Sequence, residues 1–219
     1  MYKIDELLDL SHTIAAPLFE GRTYPWEVLG DIKAFILALG PTLPKDEYDE
    51  VGEGVWIARD AAVFPSAYIG APCIIDHGAE VRHCAFIRGS AIVGKNCVVG
   101  NSVELKNALL FDSVQTPHYN YVGDSVLGYK SHMGAGSITS NVKSDKTLVV
   151  VKNGGERMET GLKKFGAILG DFVEVGCNSV LNPGCVIGRR SSVYPTSSVR
   201  GVVPQDSIFK APGDVVKRV

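Results

Sequence analysis

Six polar residues in the middle of the chain have types and spacings suited to chemistry. Arg88 and Lys106 lie 18 positions apart, and His118, Asn120, Tyr121 and Asp124 follow in the segment ELKNALLFDSVQTPHYNYVGD. A guanidinium suits bidentate recognition of phosphate, and an ammonium suits a point contact with it. A neutral imidazole is a natural base for taking a proton from an attacking amine or hydroxyl. The competing reading is plain: surface cations often splay into solvent, and a lone histidine is more often structural than catalytic. No serine or cysteine stands in evident partnership with His118 to form a covalent intermediate, so direct attack on a bound acyl donor is the expected chemistry. The segment GAGSITSN, residues 134–141, lacks both GxxxxGK[ST] and GxGxxG, so it is no evidence for a nucleotide. Its backbone N–H groups are candidates for stabilising an oxyanion.

What positions these residues is a repeat. From Ile57 in steps of six, the chain gives Val63, Ile69, Ile75, Val81, Ile87, Val93, Val99 and Leu105. A second run takes Leu169, Val175, Leu181, Ile187, Val193 and Val199, and a short one in shifted register takes Leu127 and Met133. Two residues before an anchor the side chain is small, as at Ala61, Cys73, Ala85, Cys97, Ser179 and Cys185, and glycine often follows it, as at Gly70, Gly94, Gly100 and Gly188. This is the hexapeptide pattern of a parallel β-helix, in which three hexads close one triangular coil. Residues 18 apart then stack at about 4.8 Å. Arg88 and Lys106 are therefore expected on adjacent coils as neighbouring cations, repelling by about 1 to 3 kcal/mol, which an anion between them would relieve. The register fails just after Lys106, which places His118 in a broken-register loop beside that pair. Cys73, Cys97 and Cys185 fall on the small corner position and read as packed, reduced thiols.

Residues 25–39 read as one amphipathic helix, started by Pro25 and stopped by Gly40 and Pro41, and expected to cap the open end of the solenoid. TLVVVKNGGERMET, residues 147–160, reads as a β-hairpin turning at Gly154 and Gly155. The boundaries are residues 1–50 for a helical cap or linker, 51–205 for the β-helix with its hairpin, and 206–219 for an extended C-terminal segment. With Lys+Arg 22, Asp+Glu 24 and a net charge of -2, nothing provides the electrostatic footprint of nucleic-acid binding. No apolar run approaches the ~18 residues of a membrane span, and Asp5 and Glu6 stand where a signal peptide needs positive charge. A cytoplasmic protein is expected. Five cysteines without a C-x-x-C pair indicate neither a disulfide framework nor a zinc ribbon.

From Arg88 to Asn141 the chain resembles the acetyltransferase domain of bifunctional glucosamine-1-phosphate acetyltransferase/N-acetylglucosamine-1-phosphate uridylyltransferase. The features that carry the resemblance are an Arg 18 residues before the Lys of E-x-K, then H-x-x-Y-x-G-D, then G-A-G-x-I-T-x-N. The stretch TGLKKFGAILGDFVEVGCNSVLNPGCVIG is similar to the C-terminal β-helix of sugar-1-phosphate nucleotidylyltransferases. The resemblance covers about residues 55–205 and implies an all-β, left-handed β-helix, a homotrimer, and acetyl-CoA lying between neighbouring subunits as co-substrate, with no metal. It implies further that Arg88 and Lys106 hold a sugar phosphate, that His118 is the general base, and that Tyr121 and Asn141 contact the sugar. His132 stands where the family has a sugar-binding Asn, and Ala135, Gly136 and Lys164 are the expected acetyl-CoA contacts. Val142 and Thr147 also depart from the family pattern. The G-x-G-T-R signature of a nucleotidylyltransferase is absent, so this chain is not expected to make a nucleotide sugar by itself.

The expected activity is thus N-acetylation of an amino-sugar phosphate. Its alternative is a non-catalytic trimeric module that binds a sugar phosphate or partners a separate nucleotidylyltransferase. A γ-type carbonic anhydrase is disfavoured, because the position five after His118 is Gly123 and the paired histidine spacing of that family is missing.

Overall fold

The structure, a computed structural model, describes residues 1–218. The hexads form short parallel strands that wind into a left-handed β-helix of about nine turns. The prism has three faces. The aromatic face stacks Tyr68–Ile69, Phe86–Ile87, residues 104–106, residues 121–123, Ile138–Thr139, Val180–Leu181 and Ser198–Val199. The histidine face carries Val98–Asn101, Gln115–His118, His132–Met133 and Glu174–Val175. Anchors such as Ile75, Val81, Ile87, Val93, Val99 and Leu105 point into the prism and are buried. Cys73, Cys97 and Cys185 are buried beside them, and burial pushes the thiols of Cys73 and Cys185 up to about 12, so neither supplies a thiolate. The glycines after the anchors have a steric cause: a Cβ on Gly100 would lie 1.6 Å from the Pro117 carbonyl of the next coil.

The third face is covered. Its strands each carry an extra large apolar residue just before the anchor, giving a ladder of Trp56, Ile74, Ile92, Leu109, Val126, Ile168, Val186 and Val202. Strand alternation points this ladder outward, yet Ile74, Val126 and Ile168 are wholly buried. The N-terminal segment lies over them. The single helix expected over residues 25–39 is two pieces, a 3-10 turn Pro25–Val28 and a helix Ile32–Leu39. Ile32 and Ile36 are buried where that helix packs on Ala91–Val93 and Glu104–Leu110. It therefore plasters a side of the prism and does not cap its end, because the apolar ladder to be covered runs along the side. Rings lock it down: Phe19 meets Phe111 edge to face at 5.9 Å, and Trp26 stacks on Phe165.

Antiparallel strands close the ends instead. Tyr48–Gly52 pairs with Val55–Ala58 at one edge. At the other, the segment expected as extended chain over 206–219, of which residue 219 lies outside the described residues, forms strands: Ser207–Ala211 continues the histidine face and Asp214–Lys217 folds back on it. Both devices cover unpaired edge groups. The inserted hairpin forms as expected, with Val150–Asn153 against Glu156–Glu159. No described helix is long and apolar enough to cross a membrane.

At the first edge His77 bridges two carboxylates, Asp60 at 2.9 Å and Glu47 at 3.1 Å. Burial alone would lower its pKa, but hydrogen bonds to Asp60 and Glu47 outweigh that and hold it above the usual 6.5. The bridge therefore stabilises the fold fully below about pH 6.5 and loses its effect as pH rises through the folded value. Thermal melts across pH 5 to 9 should show His77→Gln melting below the wild type at acid pH, with the gap closing at alkaline pH. A gap that widens with pH would contradict the bridge.

Candidate functional site

The corner after Lys106 is where the repeat changes length. Ile87 pairs with Leu105, 18 positions on, but Leu105 pairs with Val122 and Val122 with Thr139, each 17 on. The lost residue lies at Asn107, whose φ of +51° turns a contracted corner within the continuous strand Glu104–Leu110. Asp124 turns the same corner one coil later. A coil further on, that corner opens into the insert, which leaves after Asn141 and returns at Gly166. His118 is consequently not in a broken loop; it ends the regular strand Gln115–His118. A phase shift of one residue imitates a loop when only hexad anchors are counted.

Each predicted cation has a carboxylate partner. Arg88 Nη1 donates to Glu104 at 2.9 Å, and Lys106 Nζ donates to both oxygens of Asp124, at 2.8 and 2.9 Å. The bare cation pair expected from spacing is therefore neutralised in the fold. Asp124 also accepts from Asn107 Nδ2 at 3.0 Å and from Asn141 Nδ2. The neck of the insert closes over it, since Gly166 N–H donates to the Asp124 carbonyl and Phe165 N–H to that of Asn141. Asn107 reaches the covering segment too, donating to Leu29 O at 2.9 Å. Asp124 thus joins the Lys106 corner, the insert and, through Asn107, the N-terminal belt. Sequence reading gives Asp124 no task, because its partners lie on the coils before and after its own.

Tyr121 follows on the aromatic face beside Glu104. Burial, then the Asp124 and Glu104 carboxylates, raise its pKa, so the phenol stays protonated. A Cβ at position 123 would lie 2.4 Å from its hydroxyl, which is the steric reason for glycine in Y-x-G-D. His118 stands across the corner on the histidine face, exposed. Its backbone is fixed from both sides: its N–H donates to Asn120 Oδ1 at 3.2 Å, and its carbonyl accepts from Gly136 N–H at 3.0 Å. Asn120, buried, donates onward to Gly134 O and Ser137 O on the next coil. This staple ties the histidine to the glycine-rich turn and was not assigned from sequence.

Among the described residues, the amides of Gly134, Gly136, Ser137, Ile138 and Ser140 are already engaged by backbone carbonyls. Ala135 N–H, between two of them, has no such acceptor, so it is the donor in this turn left for a ligand. Lys164 is exposed and precedes Phe165, which brings it to the insert neck near Asn141. His132 is held apart: its Nδ1 lies 2.8 Å from Glu174 Oε2 on the neighbouring coil. The structure thus gathers Arg88, Lys106, Tyr121 and Asn141 on the aromatic face toward its contracted corner, and His118, Ala135 and Gly136 at the opposite edge of that face, where the chain turns at Tyr119 and Gly136.

Residues 69–208 match the family model described as the GMPPB C-terminal domain, well over half of the chain. The chain belongs to that family. Among curated relatives, a bifunctional sugar-1-phosphate nucleotidylyltransferase/acetyltransferase of Sulfurisphaera tokodaii is 33% identical over 156 residues, 71% of this chain and 39% of that protein. The bifunctional protein GlmU of Methanococcus maripaludis is 32% identical over 132 residues, 60% of this chain and 32% of that protein. The chain thus spans well under half the length of these relatives. Among solved structures, a mutant of AntD, an N-acyltransferase from Bacillus cereus in complex with dTDP and coenzyme A, is similar with a TM-score of 0.40 at 16% identity, covering 74% of this chain and 79% of that one.

Proposed function

We propose that this chain is an acetyl-CoA-dependent acyltransferase acting on the amine of a phosphorylated or nucleotide-linked amino sugar. The observation that carries the reading is the exposed His118 imidazole on a strand end stapled beside the open Ala135 amide, across one corner from Arg88, Lys106 and Tyr121. The substrate amine attacks the thioester carbonyl, forming the N–C bond while His118 takes the amine proton. Ala135 N–H stabilises the oxyanion, the C–S bond breaks, and the proton passes to the departing coenzyme A sulfur. Arg88 binds phosphate through guanidinium N–H groups that Glu104 leaves free, Lys106 lends its charge from its seat on Asp124, and Tyr121 and Asn141 orient the sugar. Similarity to the bifunctional sugar-1-phosphate nucleotidylyltransferase/acetyltransferase of Sulfurisphaera tokodaii supports the acyl chemistry. The open site, with Tyr68 and Phe86 exposed lower on the same face, supports a second subunit as its other wall, and a homotrimer is the assembly proposed.

Thiol release from acetyl-CoA, measured with glucosamine-1-phosphate and a panel of amino-sugar phosphates and nucleotide amino sugars, tests the reading. Turnover of one acceptor is expected; no thiol release with any of them removes it. A second reading has support in the charge-paired cations and in His132 held by Glu174: a non-catalytic module that binds a sugar phosphate beside a separate nucleotidylyltransferase. Calorimetric heat with the sugar phosphate and none with acetyl-CoA would favour it.

A further inference from the structure

The inserted hairpin encloses a cavity of about 330 Å³ against the aromatic face, at Asn182, Pro183, Arg200 and Gly201. Among the described residues, four cations line it, Lys143, Lys152, Arg157 and Arg200, and no carboxylate does. Lys143 is tied to Asp145 and Thr147. Among the described residues, Lys152, Arg157 and Arg200 have no carboxylate within salt-bridge distance, in contrast to Arg88 and Lys106.

The cations are set there against local preference. Lys152 and Arg157 are direct cross-strand partners in the hairpin, an arrangement of like charges that destabilises a two-stranded ribbon. Arg200 adds a third charge from the solenoid side. A hairpin free in solvent would relax by swinging away, but this one is seated. Val149 and Val151 are wholly buried, and a Cβ on Gly201 would come 2.5 Å from the Lys152 carbonyl. The backbone that carries these charges is thus seated around one space before any ligand arrives. Two guanidinium forks and two ammonium groups in a cavity of this size suit a compact group bearing two or more negative charges.

The cleft is also placed in line with the proposed transfer site. Lys106, Gly123, Ser140, Asn182 and Arg200 occupy one column on successive coils of the aromatic face, which puts Arg200 about 19 Å from Lys106 at the strand spacing. The two sites are separate, and the cleft does not depend on the acyl-transfer reading.

We propose that this cleft is an anion site that takes a phosphate or pyrophosphate group. That group belongs to a diphosphate-bearing ligand or to free pyrophosphate. Titration calorimetry of the full chain with inorganic pyrophosphate at low ionic strength is the test. Wild type is expected to bind, with affinity falling as salt is added. Lys152→Gln/Arg157→Gln should bind at least tenfold more weakly while melting at or above the wild-type temperature, because a like-charge contact is removed. Arg200→Gln, outside the hairpin, should weaken binding in the same direction, and Lys33→Gln on the N-terminal helix should leave it unchanged. Displacement of pyrophosphate by coenzyme A, or by a nucleoside diphosphate, assigns the source; displacement by neither assigns the site to the inorganic anion. Absence of binding, or equal binding by wild type and both cleft variants, overturns the proposal whether or not the chain transfers acetyl groups.

Discussion

His118→Ala is expected to lower kcat for acyl transfer by about a hundredfold or more, with little change in KM for the acceptor. The side chain is exposed and its backbone contacts run through N–H and C=O, so the variant keeps the staple to Asn120 and Gly136. Its melting temperature should therefore stay close to the wild type, as for most exposed substitutions. Steady-state thiol release and a thermal melt on the same preparation separate the two quantities. Unchanged kcat would remove His118 as the base, and a lower kcat with a collapsed melt would make it a structural residue.

Asp124→Ala is expected to act in the opposite way, on stability first. It strips Lys106 Nζ of two charge-assisted hydrogen bonds, takes the Asp124 acceptor from Asn141, and leaves Asn107 Nδ2 with Leu29 O alone. Asp124 is buried and Lys106 mostly so, which means water replaces these contacts poorly. Removing one member of such a pair costs about 2 to 4 kcal/mol. For a domain of this size that lowers the melting temperature by roughly 5 to 15 °C. Lys106→Met in the Asp124→Ala background should recover part of the loss, since it removes the stranded charge. The cycle of single and double variants then reports the coupling. A melting temperature within 2 °C of wild type for Asp124→Ala would show that the pair is solvated and that the corner is held by the backbone alone.

Hexad spacing made the solenoid legible because each coil repeats one steric problem: an anchor must fill the prism, and a glycine such as Gly100 must let the next coil approach. The inserted hairpin was legible for an equally local reason, its Gly154 and Gly155 turn between short apolar runs. The covered face also left a trace, in runs such as Cys73-Ile74-Ile75 and Ala91-Ile92-Val93 where an outward position is aliphatic. Doubly buried strands read that way. The trace says that something lies over the face and not what, so the helix of residues 32–39 was placed over an end when its partner is the side of the prism.

By itself the sequence determined the repeat, the class of fold, the site of its interruption and the residues gathered there, because periodicity fixes which side chains share a column. Only the tertiary structure decided their electrical state. Spacing predicted two cations facing each other, and the fold sets Glu104 against Arg88 within the regular register and Asp124 against Lys106 at the contracted corner instead. Charge is settled by distances of a few ångströms between coils, and a single residue gained or lost at a corner changes which carboxylate stands within reach. The same holds in reverse at the hairpin, where folding leaves Lys152, Arg157 and Arg200 together with no counter-charge among the described residues.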